Sequence, residues 1–300
     1  MIRRPPRSTQ GVSSAASDVY KRQPLIYPKD GWVEIEPEHL MDSVYATIDP
    51  VISACKDISA IGITNQRETT LVWDADSGQP IYNAIVWQDR RTADQCAQLK
   101  KDGHEEVINT ATGLLLDPYF SSTKISWILD NVDGARKRAE AGKLRFGTVD
   151  TYLLWQLTNG GVHKTDVTNA SRTNLYNIHD KKWDSQLLEI FNIPSSMLPE
   201  VHSSDGSFGE LVRGDRTIQI TGVIGDQQSA LVGQRCFQPG QMKATFGTGC
   251  FLMVNTGDES SRSASGCLLY TSDADDDTPC VDLGGSRIIK KKSGGGGGGG

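Results

Sequence analysis

Short apolar runs bounded by turn residues alternate along this chain with stretches whose apolar positions recur every three or four residues. Ile58–Thr64, Leu71–Trp73 and Ile81–Trp87 predict strands, with Asp76-Ser77-Gly78 turning between the second and third. Arg90–Lys101 predicts a helix that Asp102-Gly103 ends. Ile125, Ile128, Leu129 and Val132 share one face of a helix predicted over Lys124–Val132. Asp150 is a candidate N-cap for a helix over Thr151–Leu157, and Trp183–Phe191 predicts another that stops before Pro194. Thr217–Ile224 predicts a strand and Asp226 opens a helix through Gly233. Met242–Phe246 and Phe251–Asn255 predict a hairpin around Gly247-Thr248-Gly249. This alternation implies an α/β fold with a mixed sheet. No internal repeat is present, and the Ser/Gly-rich stretch Ser203–Gly209 is a candidate linker.

A length of 300 residues, 37% of them apolar, suits one large or two ordinary domains. No run approaches the roughly 20 apolar residues of a membrane span. Six cysteines without a CxxC pair suggest reduced thiols in a cytoplasmic protein. A net charge of −6 gives no reason to expect nucleic-acid binding.

The two ends change the picture. Residues Ser17–Gln23 can be encoded by a DNA whose complementary strand, shifted by one base, encodes Cys267–Ser272 and the start of Asp273. Both ends resemble translated sequencing-adaptor DNA, and Gly294–Gly300 resembles a homopolymer artefact. Residues 1–23 and 267–300 are therefore expected to be non-native tails, leaving an acidic core over 24–266.

Within that core, Thr64-Asn65-Gln66-Arg67-Glu68-Thr69-Thr70 sets an arginine and a glutamate side by side between two strand-like runs. Neighbouring strand residues face opposite ways, so both reach one site only if the backbone turns there. A solvated hairpin and a ligand clamp both fit the run. Gly225-Asp226-Gln227-Gln228 follows an apolar strand and opens a helix, whose dipole favours an ionised carboxylate. Asp226 is either an ordinary cap or a base that takes a hydroxyl proton, with the two amides orienting a polyol. Gly247-Thr248-Gly249 is either a plain turn or a phosphate-holding one. There is no GxxxxGK[ST] run, no GxSxG and no metal-ligand spacing. Trp87 and Tyr119 suit either a core or the aromatic wall of a small pocket.

In order, these runs resemble the glycerol kinases of the FGGY carbohydrate kinase family. The resemblance rests on Tyr27–Glu34, Ile61–Thr70, Asn83–Thr92, Asp117–Phe120, Thr165–Thr173, Gly225–Gln228 and Thr245–Phe251, with Tyr119–Asn131 fitting the family signature. It covers nearly all of 24–266 and none of the tails.

It implies the actin-like, ribonuclease-H-like ATPase fold, with residues 24–220 as the N-terminal α/β domain and 221–266 as the start of the second. Arg67, Glu68, Trp87, Tyr119, Asp226, Gln227 and Phe251 match the family's glycerol site, and Asp226 its catalytic base. Thr248 and Gly249 match a phosphate-binding turn of the ATP site. The implied reaction is ATP- and Mg2+-dependent phosphorylation of glycerol to sn-glycerol 3-phosphate by a cytoplasmic parent enzyme, which is compatible with homo-oligomers. A related polyol or ketose kinase and a non-catalytic polyol-binding module are the alternatives. The family's opening Asp-x-Gly-Thr-Thr-Ser hairpin has no counterpart here, and its adenine-binding glycines would follow Gly266. This chain by itself is accordingly expected to be an inactive fragment. Arg213-Gly214-Asp215-Arg216 departs from the Gly-Gly-Thr-Arg loop of members controlled by fructose 1,6-bisphosphate, so that control is not expected.

Overall fold

The computed structural model describes residues 24–246, 250–257 and 281–283. It opens with β1 (Glu34–Ile35), α1 (Pro37–Ala54), β2 (Ile61–Asn65), β3 (Leu71–Asp74) and β4 (Ala84–Ile85). Helices α2 (Ala93–Lys101), α3 (Glu105–Thr112), α4 (Ser121–Asn131) and α5 (Ala135–Glu140) precede β5 (Leu144–Gly147) and α6 (Val149–Leu157). Next come β6 (Lys164–Asp166), the single turn α7 (Val167–Ala170), the pair β7 (Tyr176–Asn177) and β8 (Lys182–Trp183), and α8 (Ser185–Ile190). Strands β9 (Glu200–His202), β10 (Glu210–Arg213) and β11 (Arg216–Gly225) lead to α9 (Asp226–Gly233) and the hairpin β12 (Met242–Phe246) and β13 (Cys250–Val254).

The sheet is mixed, as the alternation implies. β11 pairs parallel with β2 and antiparallel with β10. β3 pairs antiparallel with β5 and is buried on both faces, with Leu71, Val72 and Trp73 at 0% exposure. Its alternating side chains divide the interior: Leu71 and Trp73 join Ile220, Val223 and Leu154 in one core, while Val72 joins Ile85, Ile125, Leu129 and Phe146 in another.

Several boundaries move for identifiable reasons. The run Ile81–Trp87 keeps only Ala84–Ile85 as strand, because its hydrogen bonds are shared between Val72, Thr70 and Val33. The helix expected from Arg90 begins at Ala93, since Arg91 is held by Asp89 and Glu34. The helix expected from Lys124 begins earlier, at Ser121. The one expected from Trp183 begins at Ser185, where the Asp184 carboxylate accepts from the amides of Gln186 and Leu187. Asp150 is not a cap. Thr148 precedes the helix, and the Asp150 carboxylate turns inward to accept from Thr148, Thr165 and Asn65. Nor is Ser203–Gly209 a loose linker: Ser204, Gly206, Phe208 and Gly209 hydrogen-bond to β11, and Phe208 is fully buried.

The loop Arg213–Arg216 closes onto the C-terminal half of α1. Arg213 makes a two-pronged contact with Asp49 (2.9 and 2.8 Å), and Arg216 donates to the carbonyls of Ile52 and Cys55. No helix among the described residues is long and apolar enough to cross a membrane.

Two buried groups give the fold opposing pH responses. Burial, with Asp166 adding to it, pushes the Asp150 carboxyl up to about 6. Its stabilising proton is lost as pH rises, so this contribution falls between about pH 4 and 6. Burial pushes His163, packed against Trp73 and Trp155, down to about 4. The unfolded chain takes up that proton first, so this contribution is lost as pH falls from about 6.5 to 4. Each is worth at most about 3 kcal/mol, so they largely cancel. Asp150→Asn should therefore make the chain acid-labile over this window, and His163→Phe should make it gain stability on acidification. Urea denaturation at pH 4.5 and 6.5 checks this; parallel curves for both variants and the wild type would refute it.

Candidate active site

β2 ends at Asn65, and the chain bends at Arg67 and Glu68. The bend lets neighbouring side chains serve one site, and both residues are 2% exposed. Arg67 Nη1 donates to Gln228 Oε1 (3.3 Å), and Nε stands 3.2 Å from Asp226 Oδ1. Glu68 forms a short ion pair with Arg172 Nε. Burial alone would raise the Glu68 carboxyl, but Arg172 and Arg67 outweigh it and hold it below the usual carboxylate range. Charge is thus balanced where water cannot screen it.

Asp226 arrives from the neighbouring strand. Gly225, the residue before α9, pairs in parallel register with Asn65, so the ends of β2 and β11 lie side by side. An added Cβ on Gly225 would stand 2.6 Å from Arg67 Cδ, which is why glycine occupies the position. Asp226 is the first residue of α9 rather than its cap, and its side chain is 44% exposed. Its Oδ1 accepts from the Gln227 amide (2.8 Å), one of the unsatisfied donors of a helix start. Arg67 thus stands against Oδ1, Oδ2 accepts from Gln227 Nε2 (3.3 Å), and the carboxylate keeps solvent access between them. The Gln227 side chain is buried and accepts from Lys243, which also donates to Thr245 on β12 (2.7 Å).

Trp87 and Tyr119 meet edge to face with centroids 5.6 Å apart. The Asp117 carboxylate fixes the Tyr119 amide (2.9 Å), and the Arg172 guanidinium lies 5.4 Å from the Tyr119 ring centre and 5.0 Å from that of Phe120.

Arg67, Glu68, Asp226 and Gln227 are thus brought together, with Trp87 and Tyr119 joined through Arg172 and Lys124. Phe251 lies on β13 opposite Thr245, half-buried, and Thr245 shares Lys243 with Gln227. Thr248 and Gly249 lie outside the described residues.

Lys124 is the member that sequence reasoning missed. It is fully buried, and its ammonium donates to the carbonyls of Tyr119 (2.6 Å) and Glu68 (3.3 Å). Burial brings it down to about 7 despite nearby Glu68, Asp89 and Asp117. The signal was present, because Lys124 sits one turn before Ile128 on the apolar face of its helix. Arg172 was quoted within a motif but given no role, and its pairing with Glu68 across 104 positions has no local signature.

The profile of the FGGY family of carbohydrate kinases, N-terminal domain, matches residues 13–233. The chain belongs to the FGGY family of carbohydrate kinases, and its fold is the family's actin-like ATPase fold. It is 60% identical over 278 residues to a glycerol kinase of Alteromonas mediterranea, covering 86% of this chain and 56% of the relative. It is 57% identical over 265 residues to one of Bradyrhizobium diazoefficiens, covering 83% and 53% respectively. A crystal structure of Plasmodium falciparum glycerol kinase with ADP superposes with a TM-score of 0.83 at 36% identity, covering 87% of this chain and 54% of that one. The chain spans about half the length of the curated relatives it matches.

Proposed function

We propose that this chain carries the glycerol-binding half of a cytoplasmic glycerol kinase. The observation that carries the proposal is the Asp226 carboxylate, half exposed at a helix start and held against buried Arg67, whose neighbour Glu68 connects through Arg172 to the Tyr119–Trp87 pair. A terminal hydroxyl of glycerol next to Asp226 gives up its proton to the solvent-exposed part of the carboxylate. Its oxygen bonds to the γ-phosphorus of ATP as the bond from that phosphorus to ADP breaks. Arg67, Glu68 and Gln227 hold the hydroxyls, while Trp87, Tyr119 and Phe251 exclude water from the carbon skeleton. Such transfer relies on position and charge more than on covalent help.

ATP and Mg2+ enter through the family. We assign Thr248 and Gly249 to the phosphate turn, residues 24–220 to the N-terminal domain and 221–266 to the beginning of the second. Among the described residues no group of three His, Cys, Asp or Glu side chains could hold a metal ion.

Two measurements test the reading. Calorimetric titration of the chain should give saturable glycerol binding, tighter than for a ketose such as xylulose. The reverse preference would overturn glycerol as substrate. Trp87→Ala should weaken glycerol by about tenfold or more, since covering a large apolar side chain with ligand contributes on the order of 1.5–3 kcal/mol, while ATP binding by the full-length enzyme is unchanged. An equal loss for both ligands would point to misfolding or to another pocket.

A further inference from the structure

The turn after β6 grips both strand ends that carry the proposed chemistry. Asp166 is fully buried and accepts five hydrogen bonds: from Thr168 N (3.1 Å) and Oγ1 (2.6 Å), Asn169 N (3.0 Å) and Nδ2 (2.8 Å), and Ser204 Oγ (2.7 Å). From this anchor two arms extend. Asn169 exchanges reciprocal amide bonds with Asn65, at 2.9 and 3.1 Å. Thr168 Oγ1 accepts from the Gly225 amide at 2.7 Å. Asn65 stands two residues before Arg67, and Gly225 stands immediately before Asp226. One buried carboxylate thereby braces both sides of the 3.2 Å Arg67–Asp226 contact.

The chemistry of the Thr168 hydroxyl fixes the sense of its arm. Its single proton goes to Asp166, leaving a lone pair aimed at the Gly225 N–H. A serine supplies both bonds, whereas a valine of the same shape supplies neither. The Gly225 amide is one that α9 cannot satisfy for itself, so its direction, and that of the first helical residue, follows the hydroxyl.

We propose that Asp166, Thr168 and Asn169 are positioning residues for phosphoryl transfer: they form a brace that sets where the Asp226 carboxylate stands relative to Arg67 and the bound hydroxyl. The inference rests on the glycerol kinase reading and deepens it. None of the three touches substrate. Thr168 acts on the arm of the base and Asn169 on the arm of the binding arginine, so their losses should divide between turnover and affinity.

The test uses full-length glycerol kinase carrying this chain's residues, with kcat taken per folded active site and glycerol KM measured alongside. Thr168→Val should lower kcat by at least about tenfold, because small misplacements of reacting groups are costly, and change glycerol KM by less than about threefold. Thr168→Ser should restore kcat to within about twofold of wild type. Asn169→Ala should instead raise glycerol KM more than it lowers kcat. Amide hydrogen exchange gives an independent readout: the Gly225 amide should exchange faster in Thr168→Val and at the wild-type rate in Thr168→Ser. If Thr168→Val lowers only the melting temperature, or Thr168→Ser is no better than valine, the brace is merely structural and the inference fails. A wild-type enzyme that does not phosphorylate glycerol would instead overturn the underlying function.

Discussion

Asp226→Asn should lower glycerol phosphorylation by ~10²–10⁴-fold while leaving glycerol affinity within about tenfold, because general-base help is typically of that size. Asparagine keeps the shape of aspartate, and its carbonyl oxygen can still accept from the Gln227 amide and face the Arg67 guanidinium, both of which stand at Oδ1 in the wild type. It cannot take a proton from a hydroxyl. The site should therefore fill and not turn over. Arg67 keeps Gln228 and Glu68 beside it, which limits collateral disorder in the variant. Coupled ADP release in the full-length enzyme, beside a glycerol titration, separates the two effects. Near-normal turnover would remove Asp226 from the base role.

Gly225→Ala should weaken glycerol as severely as Arg67→Ala, although it removes no polar group. Its new methyl would sit 2.6 Å from Arg67 Cδ and 2.7 Å from Cγ, far inside contact distance. The ladder to β2 and the Thr168 contact restrain the backbone there, so the arginine stem must move. Either variant should lose charge-assisted hydrogen bonds worth roughly 1.5–3 kcal/mol, about ten- to a hundredfold in affinity. The double variant Gly225→Ala/Arg67→Ala should be hardly worse than Arg67→Ala, since truncating the arginine opens the space the methyl needs. Calorimetry on all four proteins closes the cycle. Additive losses would show that the added methyl acts on something other than Arg67.

The fold class and the residues of the candidate site are legible in the sequence; much of the detail around them is not. Arg67, Glu68, Asp226 and Gln227 lie in runs whose residue types are unusual at strand ends, and they stand out without coordinates. What stays hidden is pairing at a distance. Nothing local marks Arg172 as the partner of Glu68, or Asp166 as an acceptor for Ser204. The 18-residue α1 is in principle legible, since Leu40, Val44, Ile48 and Ile52 recur at fourfold spacing, but Pro37 and Pro50 obscure it. The cap expected at Asp150 fails because a helix-start aspartate ordinarily faces solvent, whereas this one faces a buried cluster of hydroxyls. The linker expected at Ser203–Gly209 fails because its composition is that of a loop, while its backbone bonds belong to the neighbouring strand.

The parallel pairing of β2 with β11 has a consequence for the order of biosynthesis. About 160 residues separate Asn65 from Gly225, and closing so long a loop carries an entropic cost that only the completed contact offsets. On a ribosome, β2 emerges long before β11, its one strand partner among the described residues, and must wait unpaired while α2 to α8 form locally. Chaperone dependence should therefore peak for nascent chains that stop short of β11 and drop once Gly225 has left the exit tunnel. The two arms of the pocket would meet only at that stage, so ligand cannot assist the early steps of folding but can capture the last one.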